Sequence, residues 1–171
     1  KTEAAGNTGL QNYLEKIYQN TAELSSGMRD FIWAMDPAKD TVFETILRLK
    51  EFGDSMFTDA GVSFTLAGLQ QQINDLTLPM DVRRAIVQVF KEAMNNSAKY
   101  AKAASVILSV QLANNVLEIK LKDNGKGFNT LDEKNSKGYG INIMKERAWK
   151  VGAEFNITSE KEKGTEVTFH C

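Results

Sequence analysis

The positions Leu10, Leu14, Ile17, Thr21, Leu24, Met28, Phe31 and Met35 follow one another at intervals of 4-3-4-3-4-3-4, a heptad seam running through residues 8–35. A seam this regular predicts one long helix packed against other helices in a coiled coil or four-helix bundle. The competing reading is an amphipathic helix lying on its own domain. Pro37 ends it, because the residue before a proline is pushed out of helical backbone. Thr41-Val42-Phe43-Glu44 has the Thr-x-x-Glu form of a capping box and predicts a second helix. Val42, Ile46 and Leu49 with Phe43 and Leu47 are its apolar face, and Gly53 lies near its expected end. Val62 to Leu66 alternate as a short strand, and residues 67–79 read as a polar connection. A third helix is predicted from Asp81 to Lys102, with Val82, Ala85, Ile86, Val89, Phe90, Ala93, Met94, Ser97 and Ala101 on its buried face. Val106, Leu108, Val110 and Leu112 alternate, Asn114-Asn115 supplies a turn, and Leu117, Ile119 and Leu121 alternate after it, which predicts a β-hairpin. Residues 129–138 are polar and read as a mobile loop. Gly138-Tyr139-Gly140 opens a fourth helix, with Ile141, Ile143, Met144 and Ala148 available for packing, and two strands around Phe155 to Ser159 and Val167 to Phe169 close the chain. Helices, strand, helix, hairpin, helix, hairpin in that order predict a two-layer α/β (α+β) sandwich, with helices on one face of a mixed or antiparallel sheet.

Composition leaves that picture intact. Of 171 residues, 42% are hydrophobic and 25% charged, the balance of a globular chain with one sizeable core. Lys plus Arg is 21 against 22 for Asp plus Glu, so there is no electrostatic footprint for nucleic acid or an anionic membrane. The single cysteine, Cys171, excludes an internal disulfide framework and fits a reducing compartment. No apolar run has the length to span a bilayer, and no signal peptide opens the chain. Lys1 in place of Met is the mark expected of a piece of something longer.

Candidate chemistry begins where Asp123 falls on the same face as Leu117, Ile119 and Leu121. A carboxylate in register with core side chains must find a donor or neutralise. Gly125 and Gly127 follow, residues that let backbone turn sharply and approach a ligand closely. The expectation is a pocket whose floor reads a hydrogen-bond donor. The plainer reading ends the strand one residue early and makes Asp123 a turn residue before Asn124-Gly125. On the third helix Glu92, Asn96 and Lys99 are spaced i, i+4, i+7. A carboxylate and an amide oxygen one turn apart suit magnesium, which keeps most of its waters and takes few protein oxygens plus phosphate. Lys99 suits a phosphate as a point charge. All three are equally at home on a solvated helix face. Backbone N–H groups after Gly138 and Gly140 offer an anion site at a helix N-terminus, as ordinary helix entries also do.

Glu-x-x-x-Asn on a helix, Asp-x-Gly-x-Gly ending a strand, Gly-x-Gly opening a helix and Gly164-Thr165 opening the last strand occur in that order. Together they resemble the GHKL ATPase superfamily, which groups DNA gyrase, heat-shock chaperones, mismatch-repair ATPases and sensor histidine kinases on the Bergerat ATP-binding fold. Residues 91–100 resemble the N box of a histidine kinase, 123–128 its first glycine box and 138–147 its second. Residues 28–37 resemble the segment joining the dimerisation and ATP-binding parts of some bacterial two-component kinases. The resemblance implies that residues 1–37 are the end of a dimerisation and phosphoacceptor hairpin with its linker. Residues 38–171 would then be the ATP-binding catalytic domain.

Its cofactors would be ATP and Mg2+. The resemblance implies that Asp123 accepts the adenine amino hydrogen with support from Thr165. Asn96 coordinates magnesium and Glu92 orders a metal-bound water or assists transfer, so these two carry catalysis. Lys99 and the N–H groups near Gly138 and Gly140 hold phosphates, and Tyr100, Gly125 and Gly127 complete the nucleotide site. The implied partners are a second copy, through the N-terminal helix, and the receiver domain of a response regulator, with no nucleic acid. The implied location is a cytoplasmic domain of a membrane-anchored sensor, reaching the membrane only through segments outside residues 1–171. Two departures stand out. Tyr100 occupies a position where the family often has histidine, and the phospho-accepting histidine is missing, since the only one, His170, ends the final strand and reads as structural or exposed. Residues 1–171 are therefore expected to bind ATP without phosphorylating themselves. The alternatives are a GHKL serine kinase of the anti-sigma type and a non-catalytic nucleotide-sensing or dimerisation module.

Overall fold

The structure, a computed structural model, describes residues 2–129 and 139–171. The loop expected at 129–138 therefore lies, except for Asn129, outside the described residues, and so does Gly138. Among the described residues the α-helices are α1 (Thr2–Met35), α2 (Val42–Asp59), α3 (Met80–Asn96) and α4 (Tyr139–Lys150). The strands are β1 (Ser63–Ala67), β2 (Ser105–Ala113), β3 (Val116–Asp123), β4 (Glu154–Glu160) and β5 (Gly164–His170). They form one sheet in the order β1-β2-β3-β5-β4, with β1 parallel to β2 and every other pair antiparallel. The sheet is mixed, as the order of elements implied.

Period-two alternation decides which face the helices cover. Val106, Leu108 and Val110 of β2, Leu117, Ile119 and Leu121 of β3, and Val167 and Phe169 of β5 are buried in one core with Ile46, Leu49, Ile86, Val89, Phe90 and Met144 from the helices. The opposite face carries Glu118, Lys120, Lys122 and Glu166, tied at 3.5 Å by the pair Lys120–Glu118 along β3 and by Lys120–Glu166 and Lys122–Glu166 across to β5. His170 belongs to that face, where its Nε2 lies 3.0 Å from Glu118 Oε2 on the neighbouring strand. The β2–β3 turn is Asn114-Asn115, with φ of 52° and 64°, the positive values that a two-residue hairpin demands and asparagine tolerates.

Three local expectations are corrected. The third helix does not continue to Lys102 as α-helix. It ends at Asn96 and widens into a π turn over Ser97–Ala101, closed by Lys102 in the left-handed region. That turn leaves the Ala101 carbonyl free to accept the N–H of Lys126 at 2.8 Å. Gly53 does not mark the end of α2, which runs on to Asp59. A Cβ at Gly53 would run into the Phe64 ring, so the glycine is where helix and strand approach closely. Residues 67–79 are more than a polar connection. They contain a 3-10 turn, Gln71–Ile73, whose Ile73 is buried, and Leu76 O accepts the Val42 N–H at 2.7 Å.

Helix α1 ends at Met35, ahead of Pro37, and the Asp36 side chain accepts the Ala38 N–H at 3.0 Å. Thr41 caps α2 as its capping box implied, accepting the Glu44 N–H at 3.2 Å. Among the described side chains, those that anchor α1 lie in its C-terminal turns. Asp30 is buried and receives Arg48 Nη2 at 2.8 Å and Lys91 Nζ at 2.7 and 2.8 Å. Buried Arg83 donates to the carbonyls of Ala34 at 3.0 Å and Lys39 at 2.5 Å, satisfying acceptors that a helix end leaves open. The indole of Trp33 lies beneath the guanidiniums of Arg48 and Arg83, at 5.1 and 6.0 Å. The seam itself faces away from these contacts, and Leu10, Leu14, Ile17, Leu24 and Met28 are each more than half exposed.

Removing Asp30 strands two cations at a partly buried junction. Asp30→Ala is expected to cost about 3 kcal/mol, the low end for a broken buried pair because Arg48 and Lys91 keep some solvent. Denaturant unfolding measures it, and an unchanged midpoint would mean that the junction contributes nothing to stability.

Candidate functional site

A cavity of about 590 Å³ opens between α3 and α4 over the ends of β3 and β5. At its floor Asp123 is only 3% exposed, the last residue of β3 and on its inward face as the parity required. Its charge is satisfied by three donors. The Gly125 N–H donates to Oδ1 at 2.9 Å, the Thr165 N–H to Oδ1 at 3.2 Å, and the Ser97 hydroxyl to Oδ2 at 2.8 Å. Thr165 arrives by register, since it pairs with Asp123 across β3 and β5. Its hydroxyl lies 3.0 Å from that of Ser159, which also accepts the Phe128 N–H at 2.9 Å. The apolar walls are Leu121, Ile141, Met144, Ile157 and Val167.

The glycines do different work from that expected of them. A Cβ on Gly125 would strike the backbone and side chain of Ala101, and one on Gly127, at φ 54°, would strike the Glu160 carbonyl. The loop after β3 therefore threads between the π turn and the β4–β5 hairpin. Its tight approach is to the protein's own backbone, and only Gly127 of the two borders the cavity. Asn124 does not form the turn either, because its Oδ1 accepts the N–H groups of Ala104 and Ser105, both at 2.9 Å.

At the other end of the cavity, Glu92 and Asn96 face the first turn of α4. Asn96 Nδ2 donates to Glu92 Oε1 at 3.4 Å, a long bond, and a Cβ on Gly140 would press on that same Oε1. The bareness of Gly140 leaves room beside the carboxylate. Tyr100 lines the cavity but Lys99 does not. The 3.6-residue spacing that put Lys99 on one stripe with Glu92 and Asn96 does not carry through the π turn, and Lys99 ends up exposed. The structure thus gathers Glu92, Asn96, Tyr100, Asp123, Gly127, Gly140 and Thr165 around one space, with Gly125 behind it. Sequence reasoning passed over Ser97, Ser159 and Lys126. Ser97 had been placed on a buried face as a small packing residue; a hydroxyl one helical turn after Ala93 on the side facing Asp123 was the available signal.

A five-stranded mixed sheet covered on one face by helices, with a cavity floored by a buried carboxylate, defines an α/β nucleotide-site architecture of the Bergerat type. Two solved structures share the fold. The histidine kinase domain of a blue-light activated histidine kinase from Erythrobacter litoralis superposes with a TM-score of 0.66 at 18% identity, over 85% of this chain and 70% of that one. The Acinetobacter baumannii histidine kinase AdeS superposes with a TM-score of 0.62 at 13% identity, over 90% of this chain and 78% of that one. Residues 81–171, more than half of the chain, match the family of histidine kinase-, DNA gyrase B-, and HSP90-like ATPases, and the chain belongs to that family. Among curated relatives, the sensor protein VraS of Staphylococcus aureus and that of Staphylococcus epidermidis are each 32% identical over 96 residues, 56% of this chain. The chain spans 27% of the length of those relatives.

Ser97→Ala removes one of the three donors from a buried carboxylate. The expected loss is about 1–3 kcal/mol of unfolding free energy. Urea denaturation of the two forms reads it, and equal stabilities would mean that Asp123 does not depend on the hydroxyl.

Proposed function

We propose that the chain is the ATP-binding catalytic part of a sensor histidine kinase, residues 38–171, joined to the end of its dimerisation hairpin, residues 1–37. The observation that carries this reading is the state of Asp123. Its two oxygens offer about four acceptor positions, three are filled from the protein, and Asp123 lines the cavity. One acceptor position on a buried, immobile carboxylate suits an exocyclic amino group such as that of adenine, with apolar Ile141, Met144 and Ile157 beside the ring.

From that anchor the phosphates would run toward Gly140, where the N-terminus of α4 favours negative charge. Asn96 and Glu92 fit a magnesium ion. The long Asn96–Glu92 bond leaves the amide oxygen unengaged, and two protein oxygens are what magnesium takes when phosphate and water supply the rest. A bound Mg2+ neutralises charge on the transferring phosphoryl group. Asn96 then serves as the ligand from the protein, and Glu92 holds a water or accepts a proton beside it. Tyr100 lines the adenine end. Lys99, exposed and outside the wall, contributes charge at the approaches rather than a contact.

The acceptor is a histidine outside residues 1–171, and the phosphoryl group passes from it to the receiver domain of a response regulator. The parent is a membrane-anchored sensor with this part on the cytoplasmic side. No helix among the described residues is long and apolar enough to cross a membrane, so the anchor belongs to other segments. The bare heptad seam of α1 supports assembly with a second copy, because a row of exposed apolar side chains is costly in water.

Calorimetric titration with ADP and Mg2+ tests the site. One-site binding is expected, weakened about tenfold or more, roughly 1.4 kcal/mol, by Asp123→Asn, while Asn96→Ala abolishes the dependence on Mg2+ and keeps part of the affinity. Absence of binding to the unaltered chain would overturn the reading in favour of a non-catalytic module. Sedimentation tests the seam: residues 1–171 should self-associate with rising concentration and Ile17→Glu should return a monomer, whereas a strict monomer in both cases would exclude the α1 dimer.

A further inference from the structure

Arg147 carries a charge that none of the contacts above employs. It stands on α4 seven residues, about two turns, beyond Gly140, half-buried where α4 packs on α3. Among the described residues its guanidinium makes neither a hydrogen bond nor an ion pair within 4 Å. Burial pulls it below the ordinary arginine pKa, the Glu92 carboxylate opposes that shift, and the guanidinium of Arg84 adds to it. Arginine nonetheless stays protonated in a protein. Arg84 has the Phe31 ring of α1 at 5.2 Å and, among the described residues, no ion pair of its own. The other carboxylate that faces Arg147, Glu146 of its own helix, is paired with Lys150 at 2.7 Å. Among the described residues the half-buried Arg147 guanidinium therefore has no direct partner, and an anion there would supply one.

Helix geometry says where that anion would sit. Side chains lean toward the N-terminus of their helix, so Arg147 leans along α4 toward Gly140, the residue that abuts Glu92. Neither Arg147 nor Arg84 belongs to the cavity wall. They stand just past its Glu92 end, on the side where Arg84 meets α1. A planar guanidinium fork matches phosphoryl oxygens in two parallel bonds, which a lysine cannot reproduce.

We infer that Arg147, backed by Arg84, forms an anion site at the α3–α4 seam that takes the terminal phosphoryl group of a bound nucleoside triphosphate. This rests on the nucleotide reading above: with adenine on Asp123 and the chain of phosphates running toward Gly140, the third phosphate is the one that passes Glu92, and a diphosphate stops short. Arg147 is in this way a discriminator between the two nucleotides. Arg84, held over Phe31, ties the discriminating end of the site to α1.

The test is a pair of calorimetric titrations of the chain, with Mg2+–ADP and with the Mg2+ complex of the β,γ-imido analogue of ATP. Arg147→Met should leave ADP affinity within about twofold and weaken the imido analogue about tenfold, Arg147→Lys should recover part of that loss, and Arg84→Met should show a smaller effect in the same direction. Equal weakening of both nucleotides would overturn the inference and make Arg147 a residue that holds α4 against α3. An unaltered affinity for the analogue would overturn it as well. If the unaltered chain binds ADP, either of those results leaves the nucleotide reading standing; if it binds neither nucleotide, that reading falls and the anion site falls with it.

Discussion

The arrangement depends on keeping one carboxylate charged inside the protein. Asp123 lies in the core layer of β3, where an ionised group without partners would cost several kcal/mol. Three separate pieces of chain supply its donors: the end of α3 through Ser97, the loop after β3 through Gly125, and the start of β5 through Thr165. Each donor must arrive at its own angle, so the carboxylate fixes the relative placement of a helix, a loop and a strand at once. The same constraint makes Asp123 a rigid feature of the cavity floor, since all but one of its acceptor positions are committed to the protein.

The π turn follows from the same requirement. A regular α-helix would carry Ser97 and Ala101 on at 3.6 residues per turn and close the Ala101 carbonyl into its own ladder. Widening the turn frees that carbonyl for Lys126 and brings the loop after β3 against the helix end, where bare Gly125 is the only residue that fits. The wide turn has a second effect. It takes Lys99 away from the stripe of Glu92 and Asn96 and turns Tyr100 to the cavity, so Tyr100 and not Lys99 borders it.

Much of this was legible in the residues. Period-two alternation located Asp123 on the inward face, Asn114-Asn115 located the hairpin turn, and the Thr41 capping box located the start of α2, because each of these is set by neighbours within a few positions. What was not legible depends on contacts distant in sequence. Ser97 looks like a small packing residue until Asp123, 26 positions on, is brought beside it. Gly53 looks like a helix end until the Phe64 ring lies on it. Ile73 is one of four large apolar residues scattered through residues 67–79, with Leu69, Leu76 and Leu78, and has no regular period to betray it. Asp30 is one of four acids in the seam helix, and its burial depends on Arg48 and Lys91 from two other helices.

The pairing of Asp30 with Lys91 bears on how the two parts of the chain relate. Lys91 and Glu92 are consecutive on α3, and consecutive helical residues project about 100° apart. One therefore reaches back to α1 while the other faces the cavity. One stage earlier Arg83 and Arg84 both turn to α1, Arg83 bonding the carbonyl of Ala34 near its end and Arg84 standing over Phe31. Helix α3 is thus a rigid partition with α1 clamped along one side and the cavity along the other. Rotating α1 about its axis would break the Asp30 and Arg83 bonds and unseat Trp33 and buried Ala34. The direction in which its exposed seam points is consequently fixed relative to Glu92 and Asn96. Any helix that packs on the seam meets the cavity at a set position and distance, and a group carried by that helix reaches Glu92 and Asn96 only if its own register is matched to the seam.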